Sequence, residues 1–107
     1  VEFEGVYMNS VVRLNDQIVG RSPYGYSSFI CDLTPYMMIG EENVLSVSVN
    51  NQEKNSRWYP GSGIYRHVWL HVLDDIHLKP WGIFVTTPVV DERQSQVKVV
   101  TTIINDS

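Results

Sequence analysis

The sequence predicts an all-β chain folded as a sandwich, and three observations predict it. Apolar and polar residues alternate with period two, most cleanly over residues 43–50, where Leu45, Val47 and Val49 face one way and Val44, Ser46 and Ser48 the other. Turn-forming residues punctuate the chain at short intervals: Asn15-Asp16, Pro23 with Gly25, Pro60-Gly61 and Asp74-Asp75. β-Branched residues crowd 83–87 and 96–104 on either side of a polar turn. Nothing repeats, and no segment is of low complexity.

Taken in order, residues 1–14 read as two strands, or as one strand bent near Gly5. Val1 and Phe3 alternate with Glu2 and Glu4, and beyond Gly5 the residues Val6, Met8, Ser10, Val12 and Leu14 share one parity. Asn15-Asp16 closes a hairpin whose return strand is 17–20. Residues 21–28 form a loop with Tyr24 and Tyr26, read as packing or interface residues, with a place at a pocket rim as the alternative. A strand over 29–33 follows, then one turn of helix with Thr34 as cap and Pro35 at its first position, ended by Gly40. After the strand at 43–50 comes a polar connection, 50–55. Strands are expected at 64–73 and 76–78, with a boundary near Pro80, where the pattern changes. The runs 83–87 and 96–104 begin a second β-domain, too little chain to bury a core of its own.

The chain has 107 residues and suits a small domain with a modest core. A formal net charge of -4 with no basic cluster argues against nucleic acid and against an anionic membrane surface. No run approaches the length of a membrane span. Cys31 stands alone and reads as a small buried hydrophobe, so neither an internal disulfide nor a zinc site of paired cysteines is expected. The start at Val1, without Met or a leader, gives the expectation of a fragment of something longer.

Residues 56–66, SRWYPGSGIYR, are the most distinctive stretch. Pro60 and Gly61 turn the chain, and Gly63 permits a close approach before the strand resumes. Arg57, Trp58 and Tyr59 are the candidate site residues. Their types suit a sugar, because aromatic rings present faces to pyranose C–H groups and a guanidinium donates to hydroxyls. They equally suit a domain interface, with Arg57 paired to a carboxylate.

Catalytic patterns are not found. Asp74 and Asp75 are adjacent, so on a strand they would point to opposite faces and could not converge. His67, His71 and His77 do not form a convincing metal set, and no cofactor or metal is expected. No phosphate loop or nucleophile elbow is present. Arg66 is read as a structural ion-pair partner.

Several linked motifs carry a resemblance. Phe3-Glu4-Gly5-Val6, the hairpin of 14–20, Tyr24-Gly25-Tyr26 with Phe29 and Asp32-Leu33-Thr34, Gly40-Glu41-Glu42-Asn43 with its following strand, and SRWYPGSGIYRHVWL stand in the order seen in the N-terminal sugar-binding domain of glycoside hydrolase family 2. The chain resembles the β-galactosidase branch over about its first three quarters, and from about Trp81 it resembles the start of the immunoglobulin-like sandwich that follows.

The resemblance implies a truncated jelly-roll of the galactose-binding-domain type at 1–80, lacking its early strands, then the first strands of an immunoglobulin-like sandwich at 81–107. It places both catalytic glutamates of a retaining mechanism in a (β/α)₈ barrel of the parent protein, so this chain alone should be inactive. Counting back from Ser62-Gly63-Ile64-Tyr65-Arg66, the position of an Asp that helps hold the sugar in some members falls at or near Arg57. The role implied here is donation from Arg57 to substrate hydroxyls, with Trp58 at the pocket rim. The partners implied are a β-galactoside-like carbohydrate and the catalytic barrel of the same parent chain, and a periplasmic or secreted bacterial enzyme fits the family. The alternatives are an autonomous carbohydrate-binding module and a purely structural interdomain spacer. An incomplete jelly-roll would expose strand edges, which predicts self-association.

Overall fold

A computed structural model of the chain describes residues 1–52 and 61–107. The described residues are all-β apart from one short 3-10 turn, and they fall into two compact units, Val1–His71 and Val72–Ser107.

In the first unit, the segment expected to be one or two strands is three: β1 (Glu2–Phe3), β2 (Val6–Tyr7) and β3 (Ser10–Leu14). β3 is the central strand of its sheet, flanked by β4 (Gln17–Ser22) and β6 (Leu45–Ser48), both antiparallel to it. Its inward parity, Ser10, Val12 and Leu14, is buried, as the alternation predicts. Asn15 and Asp16 both have positive φ, 47° and 67°, which suits a tight hairpin whose twist matches the strands. β4 runs two residues beyond the expected 17–20, because Val12 pairs with Gly20 and Arg13 with Ile18, leaving Val19 as a bulge before the ladder resumes.

β1 pairs with both β5 (Phe29–Ile30) and β8 (Val68–Trp69), and β2 pairs with β7 (Gly63–Ile64). The core joins these sheets: Phe3 and Val6 from one side meet Val12 and Leu14 from the other, with Val1, Cys31 and Leu33 buried in the same cluster. Phe3 stacks on Phe29 at 5.1 Å between ring centroids. Fully burying side chains of this kind contributes about 1.5–3 kcal/mol each. Cys31 is buried as expected, and that burial pushes its thiol pKa up.

The helical turn at Thr34–Tyr36 is present, but Thr34 is not its cap. Asp32 accepts the Thr34 N–H at 2.9 Å, and that backbone bond holds its carboxyl below the usual range. The strand expected over 64–73 is broken into β7 and β8, with only two paired residues in each. An apolar run names a strand without saying where its partners end.

The second unit is one antiparallel ribbon of β9 (Ile76–Val90) and β10 (Ser95–Asn105). The change of pattern placed near Pro80 falls inside β9, while the compact units part between His71 and Val72. β9 accommodates its prolines at register shifts. Leu78 faces Ile103 and Ile83 faces Thr101, so residues 79–82 bulge opposite Thr102, and Trp81 takes a φ of 55° there. Pro88 lies in the second shift, between Thr86 and Val89. A residue with no N–H to donate is tolerated where the ladder is already interrupted. Asp91 closes the turn by accepting the N–H groups of Arg93 and Gln94 at 2.8 and 2.9 Å.

Candidate functional site

The paired strands β2 and β7 set one end of an aromatic surface. Val6 pairs with Ile64 and Tyr7 with Gly63, whose φ of 125° is open to glycine and strained for other residues. Tyr65 follows, and its N–H donates to the Gly5 carbonyl at 3.2 Å while its phenol donates to the Gly25 carbonyl at 2.7 Å. Gly5 has no room for a Cβ because the Tyr65 ring lies on it, and Gly25 has none because Tyr7 does. Tyr26 tilts against Tyr7 at 5.5 Å between centroids, and Tyr24 meets Tyr26 edge-on at 5.6 Å. Tyr7, Tyr26 and Tyr65 with Gly61 line an open cavity of about 250 Å³.

A second, polar grouping lies along β1 and β8. Glu4 accepts the Trp69 indole N–H at 3.0 Å through Oε1, while its Oε2 lies 3.2 Å from His67 Nδ1 and 3.5 Å from Arg66 Nε. The Trp69 and His67 hydrogen bonds, with the nearby positive charge, hold the Glu4 carboxyl below its ordinary value. His71 Nε2 lies 2.8 Å from Glu2 Oε2. The side chains of Glu2, Glu4, His67, Trp69 and His71 thus lace two paired strands, and Arg66 has the ion-pair role expected of it. His67 and His71 are engaged with different carboxylates, and His77 bonds the Asp74 carbonyl at 2.7 Å. Among the described residues no group of His, Cys, Asp and Glu is arranged to hold a metal ion.

Arg57, Trp58 and Tyr59 lie outside the described residues. Tyr24 and Tyr26 do pack, as expected, and Tyr26 also faces the cavity, in line with the alternative. No sequence pattern marks Tyr7 and Tyr65 as site residues. The signal available for them was Gly5 and Gly25, small residues that permit a ring to lie on the backbone.

The chain is 54% identical over 108 residues to the beta-galactosidase BoGH2A of Bacteroides ovatus, covering 100% of this chain and 13% of that protein. A solved glycosyl hydrolase family 2 member from Bacteroides cellulosilyticus matches at a TM-score of 0.84 and 43% identity, over 95% of this chain and 14% of that one. The chain belongs to glycoside hydrolase family 2. A β-glycosidase structure from Bacteroides vulgatus, at a TM-score of 0.88 and 37% identity, covers 99% of this chain and 14% of its own. No protein-family model matches the chain.

The family 2 chain described here therefore spans about one seventh of the proteins it matches. Its all-β architecture agrees with those neighbours. Within it, Glu2 and Glu4 serve as acceptors that join strands, whereas the tyrosine cavity offers ring surface and phenol oxygens to a ligand.

Proposed function

We propose that this chain is a non-catalytic part of a β-galactosidase-like glycoside hydrolase, shaping the rim of an active-site pocket. The first unit is a sugar-binding jelly-roll and the second the beginning of an immunoglobulin-like sandwich. The catalytic barrel on which the jelly-roll packs belongs to the rest of the parent chain. The 54% identity over the whole chain to a β-galactosidase carries this reading.

Arg57 donates to hydroxyls of the bound galactoside, and Trp58 and Tyr59 offer ring faces to its C–H groups. Such contacts form with the substrate before any bond breaks and persist in the transition state, so they act chiefly on KM. A hydrogen bond to a charged donor is worth about 1.5–3 kcal/mol, or roughly tenfold to a hundredfold in affinity. In the full-length enzyme acting on an aryl β-galactoside, Arg57→Ala is expected to raise KM by about tenfold or more with little change in kcat. Kinetics unchanged by Arg57→Ala would overturn the proposal.

A further inference from the structure

We draw no further inference here: the strongest candidate, the apolar surface that Ile83, Phe84, Val85, Val99 and Val100 expose on the two faces of the β9–β10 ribbon, carries nothing, because nothing in the structure shows what covers it in a chain that spans 13% of BoGH2A.

Discussion

Trp69 donates its indole N–H to Oε1 of Glu4 at 3.0 Å, tying β8 to the residue that follows β1 through side chains as well as backbone. The Glu4 N–H in turn donates to the His67 carbonyl at 3.1 Å. With the carboxyl held below its ordinary value of 4.5, the unfolded chain takes up a proton more readily than the folded one. This contribution to stability is complete above the ordinary value and is lost as pH falls through the lowered one. Thermal melts between about pH 3 and about pH 7 should show that Glu4→Gln loses less stability on acidification than the native chain. An equal loss in both would refute a role for Glu4 in acid sensitivity.

Gly20 and Cys31 are coupled by contact. A methyl group at position 20 would strike Cys31 Sγ, while it would sit 3.5 Å from the Cys31 Cβ, an ordinary contact. Gly20→Ala is therefore expected to destabilise the chain by about 1–3 kcal/mol, as overpacking does in a filled core. Adding Cys31→Ala removes the clashing sulfur, so the double variant should recover much of that loss in denaturant melts. Additive losses would show that the strain lies elsewhere.

Asn43 joins the loop before β6 to the hairpin of β3 and β4. Its Oδ1 accepts from the Met38 N–H and from Asn15 Nδ2, each at 2.9 Å, and its Nδ2 donates to the carbonyls of Met38 and Glu41 at 2.8 and 3.0 Å. Asn15 then holds Val44 through its own Oδ1. Asn43→Ala should lower stability by about 1–3 kcal/mol, since each bond nets only about 0.5–1.5 kcal/mol against water. Asn43→Asp keeps the acceptor and loses the donors, so an intermediate loss is expected. Urea melts that place Asp at or below Ala would contradict that division.

The legible parts of the fold were those with a local cause. The buried parity of Ser10, Val12 and Leu14, the Asn15-Asp16 turn and the apolar face of Val47 and Val49 all follow from period and turn chemistry. The run from Ile64 to Leu73 misled because pairing depends on distant partners: Phe3 meets Val68, but Leu70 and Leu73 lie beyond the ladder and are exposed. The bulge of residues 79–82 opposite Thr102 had no local signal either, since it is a property of the pairing between β9 and β10. For the site, an ion pair of Arg66, formed here with Glu4, was expected, although Arg66 lies between β7 and β8 and not on a strand. The tyrosine cavity was not, because Tyr7 and Tyr65 are brought to Gly25 by the β2–β7 pairing, which no local pattern encodes.

The ribbon of β9 and β10 has apolar side chains exposed on both faces. Val85 and Val99 form a cross-strand pair, each 57% exposed, with Ile83 on the same face, whereas Phe84 and Val100 pair on the opposite face at 65% and 45%. An isolated two-stranded ribbon is marginal in water, and surface of this kind drives association when it is left uncovered. The 107-residue chain should therefore scatter light with a mass above its 12.3 kDa monomer, rising with concentration. Val85→Glu with Val99→Lys places opposite charges across the ladder, which supports the pairing while removing apolar surface. That double variant should move the mass toward the monomer. Undiminished association would shift responsibility to other surfaces, and a native chain that stays monomeric at high concentration would show that the exposed faces do not drive association.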